Sequence, residues 1–213
     1  MISHTHKCIY IHIQRTGGTT IERWLQGEDQ WNIQPNYKHI TATFAKKIYS
    51  EYWNDYFKFA FIRNPYERVI SELNSHVSGM YSNYLILSDK PKERLLKLNK
   101  LGYHHVYLNG GSMINGLADE EWNLPEFENN SIYKNVTRGI DKVYKYEEWD
   151  SACADIQHRL GIKHHFPPMV PGGTSQFFHY KKRYTVNDLK KPDIDIINDL
   201  HMKDFEEYGY ERL

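Results

Sequence analysis

The chain has 213 residues, with 27 Lys and Arg, 27 Asp and Glu, and a formal net charge of zero. That length suits one domain over residues 1–213 with a substantial core, and zero net charge excludes the basic excess of a dedicated nucleic-acid binder. The sequence lacks an apolar run of about 18 residues and a strand pattern begins almost at once, so neither a membrane span nor a signal peptide is expected and the expected location is cytoplasmic.

Lys7-Cys8-Ile9-Tyr10-Ile11-His12-Ile13 is rich in β-branched and aromatic residues and reads as a buried strand. After it come Gln14-Arg15-Thr16-Gly17-Gly18-Thr19-Thr20, and then Ile21, Trp24 and Leu25 at helical spacing. A strand, a tight glycine turn and a helix start leave backbone N–H groups and a helix dipole that favour an anion, phosphate above all. Gly17 and Gly18 permit close approach, and the hydroxyls of Thr16, Thr19 and Thr20 can add hydrogen bonds. Arg15 places a permanent cation at the mouth of the loop. The alternative is a plain turn with a threonine helix cap. The loop is not a Walker A motif, since no Lys-Ser or Lys-Thr follows the glycines.

Gly27 stops the first helix, and Glu28 to Lys38 reads as loop. His39 to Thr43 leads into a helix with Phe44, Ile48 and Tyr52 on one face. Phe57 to Ile62 is nearly all apolar, as a central parallel strand should be. Arg63-Asn64-Pro65-Tyr66-Glu67 follows, with Asn64 as helix cap, Pro65 in the first turn and Glu67 completing a capping box. The helix continues through Val69, Ile70, Leu73 and Val77. Arg63 thus sits at the carboxyl end of a strand, where open α/β sheets bind ligands.

Asp89 to Leu101 reads as a basic amphipathic helix, and Gly102 to Asn135 has no clear period. Val143 to Tyr146 is a short strand; Asp150 caps a helix carrying Ala152, Cys153, Ile156 and Leu160 and ending at Gly161. His164 to Arg183 is a loop ending in Lys181, Lys182 and Arg183, and a last helix runs from about Asp193 to Tyr208. Cys8 and Cys153 read as two buried thiols. His104-His105 and His164-His165 are adjacent pairs without the spacing of a helical zinc site, so no metal is expected. Strands alternating with helices give an α/β protein with a central parallel sheet.

Ile11 to Thr20 resembles the 5′-phosphosulfate loop of sulfotransferases, whose common form is I-H-I-P-K-T-G-G-T-S. Phe61 to Ser71 resembles their 3′-phosphate motif, in which an Arg and a Ser eight residues on, here Arg63 and Ser71, hold the phosphate. Within that family the resemblance is to the carbohydrate group that includes heparan sulfate 2-O-sulfotransferase and its shorter bacterial and viral relatives. Weaker echoes extend to Tyr146–Trp149 and Lys203–Tyr210, while Tyr81 to Asn135 is unmatched.

The resemblance implies a P-loop-like three-layer fold, a central parallel sheet flanked by helices. It implies 3′-phosphoadenosine 5′-phosphosulfate as donor co-substrate, no metal, and a sugar or glycan acceptor. It implies donor binding by Arg15, Thr16, Gly17, Gly18, Thr19, Thr20, Arg63 and Ser71. Lys182 and Arg183 are candidates to close over the nucleotide, and Arg68 is expected to be structural. Arg15 stands where the family commonly has Lys; it keeps the charge and adds a fork of donors, but cannot give up a proton. His39 resembles the histidine that serves as base in the 2-O-sulfotransferase group, with Glu22 and His76 in reserve. A P-loop small-molecule kinase and a non-catalytic nucleotide-binding module of the same fold remain alternatives.

Overall fold

The computed structural model describes residues 1–34, 37–75, 131–164, 166 and 185–213. The expected helix over 89–101, His76, His104, His105, and the cluster Lys181, Lys182 and Arg183 lie outside the described residues.

One sheet has the order β1 (Ile2–Ser3), β2 (Cys8–Ile11), β3 (Phe57–Ile62), β4 (Lys142–Lys145). Strands β2, β3 and β4 run parallel, and β1 pairs antiparallel with β2. The sequence reading missed β1, which is too short for any periodicity to show. Strand residues alternate between two cores, as a period of two requires. Ile9, Ile11, Ala60 and Ile62 face one core; Cys8, Tyr10, Phe59 and Phe61 face the other. Both sets are fully buried. Each large apolar side chain contributes about 1.5–3 kcal/mol by leaving water, far more than an exposed ion pair at about 0–1 kcal/mol.

Helices cover both faces. α1 (Gly18–Gln26) and α6 (Trp149–Leu160) put Ile21, Trp24, Leu25, Cys153 and Ile156 on the second core. On the first lie α3 (Ala42–Ile48), α4 (Pro65–Ser75), α5 (Ile132–Val136), α7 (Lys191–Leu200) and α8 (Met202–Tyr208). The expected three-layer α/β arrangement is present, with the antiparallel β1 added at one edge.

Several boundaries differ from expectation. Residues expected as loop after Gly27 include a short helix, α2 (Gln30–Ile33). α3 stops at Ile48, and its cap is Thr41, whose Oγ1 accepts the Phe44 N–H at 3.2 Å. α6 begins at Trp149, so Asp150 is a first-turn acid rather than the cap. Asn64 does cap α4, its Oδ1 accepting the N–H groups of Tyr66 and Glu67 at 3.0 and 3.3 Å. Glu67 does not close the expected capping box. The Asn64 N–H donates instead to Glu147 at 2.7 Å, and Glu67 pairs with Arg63.

The single last helix is in fact two, broken at His201, whose φ is −114°. The break lets Asp204 serve two elements at once. Its carboxylate accepts the N–H groups of Tyr133 at 3.0 Å and Lys134 at 3.4 Å, at the start of α5, and meets His201 Nδ1 at 2.8 Å. Asp204 is wholly buried. Asp204→Ala strands these donors and is expected to cost about 3 kcal/mol, lowering Tm by roughly 6–12 °C in a thermal melt. The loss bears on the site, because the hydroxyl of Tyr133 donates to the Arg63 carbonyl at 2.5 Å.

Candidate active site

Parallel strands deliver their following turns to one edge of the sheet. The turn after β2 carries Arg15 to Gly18, and the turn after β3 carries Arg63. The register pairs Ile62 with Lys145, so Arg63 emerges beside Tyr146, and its guanidinium lies 4.6 Å from the centre of that ring.

The first turn is braced from within. Thr16 is fully buried and its hydroxyl donates to the Ile13 carbonyl at 2.7 Å. The side chain expected to offer a ligand hydroxyl is therefore turned inward, while Thr19 and Thr20 remain partly exposed. Buried Arg68 donates from Nε to the Gln14 carbonyl at 3.1 Å, so its role in bracing the loop is structural. The cap of α1 is Gly17, not a threonine, at φ 82°. A Cβ there would lie 2.6 Å from the Trp149 ring, and a Cβ on Gly18 would lie 2.1 Å from the His12 ring. The glycines are thus demanded by packing of two rings as well as by the turn. Arg15 itself takes φ 65°, a region uncommon for a residue with a side chain and costing about 1 kcal/mol or more.

The two expected anion sites share contacts. Arg15 Nε donates to Ser71 Oγ at 3.3 Å, and Arg63 Nη1 donates to the Arg15 carbonyl at 3.4 Å. Arg63 Nη2 also pairs with Glu67 at 3.2 Å. Arg15, Arg63 and Ser71, distant in sequence, form one group. Beside it opens a cavity of about 770 Å³ whose lining includes Arg63, Tyr146 and Trp149 and also the carboxylates of Glu67, Glu147, Glu148 and Asp150. The sequence pattern does not mark Tyr146 as part of this group; only the register of β4 places it there.

His39 is buried and joins the same edge from the start of α3's approach. Its Nδ1 lies 3.1 Å from the His12 carbonyl, and its ring meets the His12 ring edge-on at 4.4 Å. A carbonyl only accepts, so Nδ1 carries the proton and the neutral ring holds its lone pair on Nε2. Burial, with the neighbouring His12 charge, pushes His39 well below the usual histidine value of 6.5. His12 is also lowered by burial, although Glu22 opposes the shift.

Beneath these rings lies a cluster that sequence reasoning missed. Glu22 Oε1 meets His12 Nδ1 at 2.6 Å, and Glu22 Oε2 meets Lys38 Nζ at 2.9 Å. Lys38 also pairs with Asp29 and reaches Thr19 Oγ1 at 3.4 Å. Lys38 is 2% exposed and Glu22 fully buried. Burial alone would raise Glu22, but His12 and Lys38 outweigh it and hold the carboxyl far below its ordinary value. A carboxylate so firmly ionised is a poor proton acceptor, which removes Glu22 as a reserve base. Nothing in the spacing of Glu22, Asp29 and Lys38 signals this cluster; complementary charges around an expected loop were its one trace.

Buried histidines make the fold acid-sensitive. His12, His39 and His201 are each lowered from 6.5 by burial. Below that value the unfolded chain takes up protons that the folded chain refuses, so stability must fall as pH drops from about 6.5 toward the folded values. The slope is at most about 1.4 kcal/mol per pH unit for each histidine. A midpoint shift in urea between pH 7 and pH 5.5, at unchanged m value, checks this.

Three parallel strands thus bring two arginine-bearing turns to one edge of the sheet. Comparison with protein-family models gives the assignment: residues 1–211 match the model of the sulfotransferase family, and the chain belongs to that family. No curated protein and no solved structure matches it. Among the described residues, no helix is long and apolar enough to cross a membrane.

Proposed function

We propose that this sulfotransferase moves a sulfuryl group from 3′-phosphoadenosine 5′-phosphosulfate to a hydroxyl of a carbohydrate, with His39 as base. The observation that carries the reading is the convergence of Arg15 and Arg63, from the turns after two adjacent parallel strands, with Ser71 of α4. A nucleotide bearing phosphate on both its 5′ and 3′ sides needs two such sites a ribose apart.

In this reading the N–H groups of the first turn of α1, with Thr19 and Thr20, receive the 5′ side. Arg63 and Ser71 receive the 3′-phosphate through charge-assisted hydrogen bonds. Arg15 spans the two, since its backbone belongs to the first turn and its side chain reaches Ser71. The base of the nucleotide lies over Tyr146 and Trp149 in the neighbouring cavity.

In the transfer, the acceptor oxygen forms a bond to sulfur as the bond from sulfur to the bridging phosphate oxygen breaks. The departing electron pair stays on that oxygen, where Arg15 and the loop donors meet the growing charge. The acceptor proton passes to Nε2 of His39. Positioning and charge stabilisation supply most of the rate, as in phosphoryl transfer. A kinase reading would need a Walker lysine, which the loop lacks.

The test pairs binding with turnover. Adenosine 3′,5′-bisphosphate should raise Tm where ATP with Mg²⁺ does not. Mass spectrometry of a glycan panel incubated with isotope-labelled donor should then find a labelled sulfate ester. Stabilisation by ATP–Mg²⁺ alone, or by neither nucleotide, would overturn the reading.

A further inference from the structure

Lys38 has three N–H donors, and its acceptors include Glu22 Oε2 at 2.9 Å, Asp29 Oδ1, and Thr19 Oγ1 at 3.4 Å. The third contact matters most. An ammonium only donates, so the Thr19 oxygen must accept. The hydroxyl proton of Thr19 is then directed to some other acceptor. Thr19 stands in the first turn of α1, partly exposed, where an anion would meet the helix N-terminus.

We propose that Lys38 is a positioning residue for donor binding: it fixes the Thr19 hydroxyl as a hydrogen-bond donor aimed at the 5′-phosphate of the bound nucleotide. This rests on the donor assigned above. Two carboxylates keep Lys38 from approaching the anion itself. Glu22 and Asp29 already use two of its donors, and its ammonium lies beneath the loop. Its effect on the ligand therefore runs through Thr19. Glu22 ties this device to the other side of the site, because its second oxygen holds His12, whose carbonyl in turn orients His39. The backbone N–H of Gln30 donates at 3.2 Å to Glu22 Oε2, the oxygen that Lys38 holds, fixing the carboxylate against rotation. A single buried acid thus sets both the threonine donor and the strand end that seats the histidine.

The experiment uses the full chain and two nucleotides, adenosine 3′,5′-bisphosphate and adenosine 3′-monophosphate, with affinities from isothermal titration calorimetry. Lys38→Met and Thr19→Val should each weaken the bisphosphate by about 10-fold, the worth of one hydrogen bond to a charged group. Neither should change affinity for the 3′-monophosphate, which lacks the group Thr19 addresses. The double variant should bind like either single one, and in a Thr19→Ser background Lys38→Met should keep its full cost. A structural role would instead weaken both nucleotides alike and multiply with Thr19→Val, and either result overturns the proposal. Lys38→Leu, which also lacks a donor, is carried in parallel should the methionine variant not fold, with the same expected pattern. Failure of the unmodified protein to bind the bisphosphate sinks the donor assignment and this proposal together. Binding that is intact but indifferent to Lys38 sinks this proposal alone.

Discussion

His39→Ala should lower turnover by about 10²–10⁴-fold, the usual contribution of a general base, while affinity for adenosine 3′,5′-bisphosphate stays within about twofold. The split follows from where His39 sits. It touches the His12 carbonyl and ring, whereas the proposed reading gives the nucleotide to Arg15, Arg63 and Ser71. Its lowered pKa adds a second readout. The ring is neutral at neutral pH and is lost as a base only when protonated. The acid limb of the kcat/KM profile should therefore lie below the ordinary histidine value of 6.5. A profile that falls off above 6.5, or turnover unchanged in the alanine variant, would remove His39 from the chemistry.

Arg63→Ala should have the opposite signature, with nucleotide affinity reduced by roughly 100-fold or more as the variant loses a charge-assisted pair of hydrogen bonds to phosphate. In the structure Arg63 pairs with Glu67 four residues on, a contact with a half-exposed carboxylate. Such helix pairs are worth about 0.3–0.5 kcal/mol, so a phosphate displaces Glu67 at little cost. Arg63 also lies over Tyr146 and donates to the Arg15 carbonyl. Removing it therefore loosens the seat of the first turn as well. Arg63→Lys should recover only part of the loss, because an ammonium lacks the planar fork that serves phosphate, backbone and ring together. Calorimetry with adenosine 3′,5′-bisphosphate measures both variants, and alanine affinity within about threefold of the parent would exclude Arg63 from the site.

Both strand–turn–helix units were legible because everything that makes them is local. In each, a buried strand, a turn and a helix start lie within about fifteen residues, and strand burial, helix capping and apolar spacing act at short range. Thr16 shows where that reading stops. A hydroxyl beside two glycines at a helix start looks like a ligand group, yet buried it had to find an internal acceptor, and it donates to the Ile13 carbonyl. The helix break at His201 was hidden for a related reason. The apolar spacing continues through it, and only the demand of α5 for a buried capping acid, met by Asp204, bends the chain there.

From its residues alone the chain declared an α/β sheet, two strand–turn–helix units, an arginine for each and a histidine between them. Burial on both faces, turn chemistry and capping are written in neighbouring positions. Tertiary structure decided what those groups touch. It drew Arg15 to Ser71, laid Arg63 on Tyr146 through the β4 register, and sank Lys38 between Glu22 and Asp29. These contacts arise because buried charges must find partners wherever packing leaves them, and that choice is made in space rather than along the chain.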